Sequence, residues 1–372
     1  MKFAVSPFLA SLAAMTALAG GLLLSRPAQA GNEVTLNGTG ATFPAKVYAQ
    51  WAESYAKERG IVVHYEGTGS SMGQKQIKAR AVDFGATDVP MSSAELEKNG
   101  LFQFPTLVGG VVPVVHLPGV AAGRLHLNAE VLAGIFTGHI QRWNDPAIAA
   151  LNPGLALPEQ HITRVVRADG SGTTEVFVSY LKQVAPGQAA DIVGQGTTVQ
   201  WPGSVNAVEG SGKVAAAVKA TPGAIGYISS DYVLRENLTP ASLRNKRGDW
   251  VNPSIESYRA AVRAGGLFRD SLEAAPLLDV DGPGVWPIVT ATYIVVDRSP
   301  ASLERAGRTL NFFYRSFLMG DRAVAGSGFA PLPTETQARI VAKLSSFRTQ
   351  DGRVLPVMGG LDGPATTIAA QH

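Results

Sequence analysis

The chain has 372 residues, of which 45% are hydrophobic and 16% charged, enough apolar material for one large domain or two ordinary ones and unlike a disordered chain. Lys and Arg number 32 against 29 Asp and Glu, a formal charge of +3. The absence of cysteine excludes disulfides, thiol nucleophiles, iron–sulfur clusters and cysteine-ligated zinc, and leaves the compartment open.

The compartment is read from the first thirty residues. Lys2 is followed by an uncharged stretch from Phe3 to Leu24, then by Ser25, Arg26, Pro27 and the triplet Ala28, Gln29, Ala30. That order predicts a secretory signal peptide over 1–30, cut near Ala30 to leave an exported protein starting near Gly31. The apolar stretch is long for such a leader, so an uncleaved anchor is the alternative, and without cysteine there is no lipoprotein anchor. After Gly31 no segment approaches the roughly 18 uncharged apolar residues of a spanning helix, so no stable membrane insertion is expected. Removing Lys2 and Arg26 leaves 30 positive against 29 negative residues, so the pI of 9.0 is no argument for nucleic acid.

From Glu33 onward short β-branched runs alternate with amphipathic segments, the pattern of a mostly parallel sheet flanked by helices. Pro44 to Arg59 predicts a helix, with Val47, Trp51 and Tyr55 on one face and Gly60 past its end. Ile61 to Tyr65 reads as a strand, Ser71 to Arg80 as a helix and Val82 to Ala86 as a strand, and Ser92 with Glu95 forms a capping box. Val165 and Val166 lead a strand that ends at Arg167. Farther on, Leu303, Ala306, Leu310, Phe313 and Phe317 make a helical stripe, and Thr334 with Gln337 caps another helix.

Glycine gathers in three clusters just before predicted helices: Gly38 to Phe43 (GTGATF), Gly67 to Gly73 (GTGSSMG) and Asp169 to Thr173 (DGSGT). Between a strand and a helix such a turn lets backbone approach a ligand, and the unpaired N–H groups of the helix start face an anion. Each cluster alone also reads as a tight turn with Ser or Thr caps. Arg167, at a strand end beside the third cluster, can meet an oxyanion bidentately, with Ser171, Gly172 and Thr173 supplying further donors and Asp169 holding the guanidinium. Asp88 also ends a strand. A carboxylate there repels a fully ionised anion but accepts a hydrogen bond from one that keeps a proton, as phosphate does with a second pKa near ~6 to 7 and sulfate does not.

Other motifs fit less well. Gly69 to Gly73 satisfies G-x-S-x-G with Ser71 at its centre, which keeps a secreted serine hydrolase as an alternative, although no histidine downstream lies in a recognisable triad loop. Asp83-Phe84-Gly85 copies a kinase triplet without its companions. Glu209 to Lys213 (EGSGK) lacks the first glycine of a Walker A loop and has Val214 after the lysine. The histidines show no metal-ligand spacing, so neither metal nor cofactor is expected.

At these residues the sequence resembles the periplasmic phosphate-binding proteins that feed the phosphate ABC importer. The segments are GATFPA (40–45), GSS (69–71), VDFGA (82–86) with Asp88, LFQFPT (101–106), WNDP (143–146), LNPG (151–154), RADGSGT (167–173) and PGAIGY (222–227), in the family's order, from Val34 to Phe347. The resemblance implies a two-lobed α/β fold of the type II periplasmic binding protein class. Its crossings would fall near Leu107 to Val112 and Val289 to Val295, giving lobe one as 31–110 plus 287–372 and lobe two as 111–286. It also implies a binding protein rather than an enzyme, a monomer that hands phosphate to a permease and ATPase complex; a scavenger without a transporter is the variant of this reading. Carried over, the phosphate site comprises Thr42, Phe43, Ser70 and Asp88 from lobe one and Arg167, Ser171, Gly172 and Thr173 from lobe two, with Asp169 supporting Arg167. Met72 stands where relatives often have glycine, and 358–372 is expected to be a disordered tail.

Overall fold

The computed structural model describes residues 35–266, 277–319 and 324–359. The leader over 1–30 and the tail beyond 359 lie outside the described residues. Six elements alternate first: β1 (Leu36–Gly40), α1 (Ala45–Arg59), β2 (Val63–Gly67), α2 (Ser70–Lys78), β3 (Phe84–Thr87) and α3 (Ser93–Lys98). The long strand β4 (Leu101–Val115) follows, then β5 (His126–Leu127), α4 (Ala129–Thr137) and α5 (Pro146–Leu151). Next come β6 (Thr163–Arg167), α6 (Gly172–Val184), β7 (Asn206–Val208), α7 (Gly210–Ala220), β8 (Ala224–Ser229) and α8 (Ser230–Arg235). The short β9 (Thr239–Pro240), β10 (Ser242–Arg244) and β11 (Trp250–Val251) lead to α9 (Ile255–Gly265) and β12 (Leu277–Leu278). The last described elements are β13 (Ile288–Asp297), α10 (Leu303–Met319), β14 (Ala330–Pro331) and α11 (Thr334–Ser345).

The main strand order is β2-β1-β3-β13-β4-β8-β6-β7. β1 is parallel to β2 and β3, and β6 is parallel to β7 and β8, so each lobe has the parallel centre that its alternating sequence predicts. The two centres are joined by antiparallel strands: β13 pairs β3 on one side and β4 on the other, and β4 continues past Gly110 to pair β8. One long strand thus belongs to both lobes. The β4–β13 ladder slips between Thr292 and Tyr293, which face Leu107 and Pro105, leaving Thr106 as the extra residue of a bulge. Pro105 has no N–H for a regular ladder, and the bulge absorbs its presence.

Helix α1 buries Val47, Trp51 and Tyr55 and ends where Gly60, at φ 66°, returns its N–H to the Ala56 carbonyl. Its face stacks with α10, where Leu310, Phe313 and Phe317 are buried beside Phe84 and Phe104. The second lobe centres on Phe136, Phe177 and Tyr227, which stack within 6 Å of one another.

Several boundaries differ from the sequence expectation. β2 runs Val63–Gly67 rather than from Ile61, because its ladder is set by β1, whose Gly40 pairs with Gly67. α2 starts one residue early, at Ser70, and stops at Lys78, with Arg80 at φ 57° outside it. Likewise β3 is displaced toward Thr87. Ser92 caps α3 by accepting the Glu95 N–H, but the Glu95 carboxylate takes Lys78 instead of closing the box. Thr334 does not cap α11: Pro333 holds the cap position, and the Gln337 amide donates to the Leu332 carbonyl.

Candidate functional site

All three glycine clusters lie at the cleft side of the sheet, each between a strand end and a helix start. β1 runs through Gly40 to Thr42 and Phe43 ahead of α1, and β2 runs to Gly69, at φ 100°, which caps α2. β6 ends at Arg167, and Ser171 caps α6 by accepting the Thr174 N–H at 3.1 Å. Phe43 packs its ring against Phe329 in the core, so what it can offer a ligand is backbone.

Arg167 organises the second lobe's share. Its Nε donates to Asp169 Oδ1 at 2.6 Å and its Nη2 to Oδ2, with the guanidinium side chain 2% exposed. Nη1 reaches across the cleft to Thr42 Oγ1 at 3.3 Å and, within its own lobe, to Ser211 Oγ at 3.2 Å. Burial works against the Asp169 carboxylate, yet the Arg167 hydrogen bonds and charge, with the Gly210 N–H at 2.9 Å, outweigh it and hold the group below the usual Asp range. The ion pair fixes the fork, leaving Nη1 directed at the cleft.

Asp88 faces this cation from the other lobe. Its backbone N–H donates to Ser70 Oγ at 3.1 Å, and its Oδ1 accepts from Thr292 Oγ1 at 2.6 Å. Burial pushes the carboxyl up to about 7, against the lowering effects of the Thr292 hydroxyl, the Arg167 charge and the Ser70 hydroxyl; Asp231 adds to the rise. Thr173 is buried on the opposite wall, and its Oγ1 has no hydrogen-bond partner. A buried hydroxyl is seldom left unpaired, so this one is a donor available to a ligand in the cleft.

The two walls touch. Ser71 N donates to the Gly170 carbonyl at 3.2 Å, Ser71 Oγ meets Thr197 Oγ1 at 2.5 Å, and Thr42 Oγ1 meets Ser211 Oγ at 2.9 Å. A Cβ on Gly172 would lie 2.4 Å from Ser70 Oγ and 2.9 Å from Asp88 Cβ. Only glycine lets α6 approach this closely. Gly172→Ala is therefore expected to fold but hold the walls apart, with a loss of about 10- to 100-fold in anion affinity at little change in the melting temperature of the unliganded protein. Calorimetric titration beside a thermal melt checks both halves.

Of the residues expected from sequence, Thr42, Ser70, Asp88, Arg167, Ser171, Gly172 and Thr173 come together with Asp169 at this cleft, and Phe43 adjoins it. Met72 points outward, 37% exposed, and leaves the start of α2 intact. Ser71 has Thr197 as its hydroxyl partner, and among the described residues no histidine bonds to it. Sequence reasoning missed Gly210 and Ser211: the EGSGK segment is a fourth glycine cluster before a helix, set aside because it fails the Walker pattern. It also missed Thr292, whose setting in an apolar strand gives no sign of a polar role.

Two α/β lobes sharing long antiparallel strands, with helix starts from both aimed at one buried arginine, define the class of type II periplasmic binding proteins. A family model described as the PBP superfamily domain matches residues 26–314. The chain is 40% identical over 323 residues to the phosphate-binding protein PstS of Pasteurella multocida, covering 86% of this chain and 93% of that one. It is 39% identical over 313 residues to PstS of Xylella fastidiosa, covering 84% and 85%. In fold it is similar to a crystal structure of the phosphate binding protein from Stenotrophomonas maltophilia, with a TM-score of 0.65 at 21% identity over 87% of this chain and 97% of that one. The chain belongs to the PstS family of phosphate-binding proteins, within the PBP superfamily.

Proposed function

We propose that the protein binds inorganic phosphate in the periplasm and delivers it to the permease of a phosphate ABC importer. The observation that carries this is the opposition, in one closed cleft, of a buried Arg167 and a buried Asp88 beside the unpartnered Thr173 hydroxyl. Arg167 Nη1, the hydroxyls of Thr42, Ser70, Ser171 and Thr173 and the N–H groups at the starts of α1, α2 and α6 supply donors, and Asp88 supplies an acceptor. An anion that retains a proton satisfies both kinds of group, whereas sulfate leaves Asp88 facing a lone pair.

In this reading lobe one comprises 31–110 with 287–372 and lobe two 111–286. Phosphate bridges them and favours the closed state, which a permease and its ATPase recognise. The protein acts as a monomer after removal of the leader near Ala30 and catalyses no reaction. The likeness to the relatives named PstS over most of the chain supports the ligand, and the glycine-dependent contact between the walls supports closure. Among the described residues no helix is long and apolar enough to cross a membrane.

Titration calorimetry of the purified protein is expected to show phosphate and arsenate binding at least about 100-fold more tightly than sulfate, a difference of ~2.7 kcal/mol. Equal affinity for sulfate would remove Asp88 as the selector, and no phosphate binding would overturn the function.

A further inference from the structure

We infer that Thr292, on the strand β13 shared between the halves of the sheet, is a positioning and specificity-determining residue: it holds Asp88 by one carboxylate oxygen so that the other faces the anion. This rests on the phosphate reading of the cleft. Three polar groups of Asp88 are tied: its N–H to Ser70 Oγ at 3.1 Å, its carbonyl to Thr290 Oγ1 at 2.9 Å and its Oδ1 to Thr292 Oγ1 at 2.6 Å. Two of the three partners are threonines two residues apart on β13, so the strand fixes both the backbone and the side chain of Asp88 from one face.

Thr292 is itself held. It is 0% exposed, and its carbonyl accepts the Thr106 hydroxyl at 3.1 Å, at the bulge where β4 and β13 change register. Thr106 spends its single proton there, so Tyr48 OH, 2.5 Å from Thr106 Oγ1, is the donor of that pair. A bulge beside a site re-aims a side chain, and here the side chain aimed is the one that orients Asp88. The charged and titratable groups around Asp88 are Arg167 from the end of β6, Asp231 from α8, and Tyr48 and Tyr65 from α1 and β2. Arg167 and the Thr292 and Ser70 hydroxyls favour the carboxylate, and burial with Asp231 favours the acid. Removing the Thr292 hydroxyl moves this balance toward the acid, a weaker acceptor for the phosphate proton that also brings a proton of its own to the anion.

The test is Thr292→Val and Thr292→Ser, each titrated with phosphate, arsenate and sulfate from pH 5.5 to 9 and compared with wild type and with Asp88→Asn. Thr292→Val is expected to lose about tenfold in phosphate affinity at pH 7, to recover part of it at high pH and to narrow the phosphate-to-sulfate ratio, while Thr292→Ser stays close to wild type. In an Asp88→Asn background the valine is expected to add no pH dependence. An unchanged pH profile in Thr292→Val, or an equal loss at every pH in both variants, overturns the proposal. If the valine variant does not fold, Thr292→Ala and Thr292→Ser read by the same profile decide it. Failure of wild type to bind phosphate would instead strike the phosphate reading.

Discussion

Arg167→Ala is expected to weaken phosphate binding by roughly 2–5 kcal/mol, about 30-fold to several thousandfold in Kd. The guanidinium is buried and gripped by Asp169 on two edges, so its loss removes a full positive charge from the site and strands a carboxylate beside an incoming anion. Lysine returns the charge without the fork, and Arg167→Lys should regain only part of the affinity. A second readout follows from Asp169, whose pKa is depressed in the folded protein. A depressed carboxyl contributes stability above its unfolded value and gives it up as pH falls through the folded one, so Arg167→Ala should lose that acid-limb slope. Calorimetry at neutral pH and urea melts from pH 6 down to 2 measure the two effects; wild-type affinity in the alanine variant would take Arg167 out of the site.

Asp88→Asn acts in the opposite direction on stability. The Asp88 carboxyl is raised to about 7 by burial, so between the unfolded value and 7 the folded protein holds more protons than the unfolded chain. Stability therefore falls as pH rises across that window, by an amount on the order of 4 kcal/mol, while the group costs nothing below the unfolded value. Asp231, also raised to about 7 by burial, adds a similar slope. Asp88→Asn should remove one of these contributions, so the unliganded variant gains on wild type progressively from pH 4 to 8. Its binding should change the other way. Phosphate loses its acceptor and drops about tenfold or more, sulfate gains, and their ratio contracts. A phosphate-to-sulfate ratio like that of wild type would sink the selector role, whatever the melts show.

The sequence made most of the first-rank site legible because the chemistry sits on local pattern. Strand, glycine-rich turn and helix start follow one another within ten residues at Thr42, at Ser70 and at Arg167, and each segment can be read without knowing its neighbours. Asp88 was legible for a similar reason, as a carboxylate at a strand end. What stayed hidden depends on partners far along the chain. Thr292 bonds Asp88 across 204 residues, and in the run IVTATYIVVD of β13, Ile288 to Asp297, a threonine is simply a good strand former. Thr197 lies in an irregular stretch with no periodic signal. β4 carries Pro105, Gly109, Gly110 and Pro113, residues that ordinarily break strands, yet the ladder holds because Phe329 and Tyr258 cover the two glycines and a bulge accommodates the first proline. The three-stranded sheet of β5, β10 and β11 has no strand longer than three residues, too few for alternation to register.

The hydroxyl pair of Ser71 and Thr197 has a practical consequence. It joins the walls at the rim of the cleft through two side chains that carry none of the proposed anion contacts. The chain contains no cysteine, so thiols introduced at these two positions would be its only ones. A pair of fluorophores placed there would sit on opposite walls and report their separation, turning the protein into an optical gauge of its own ligand.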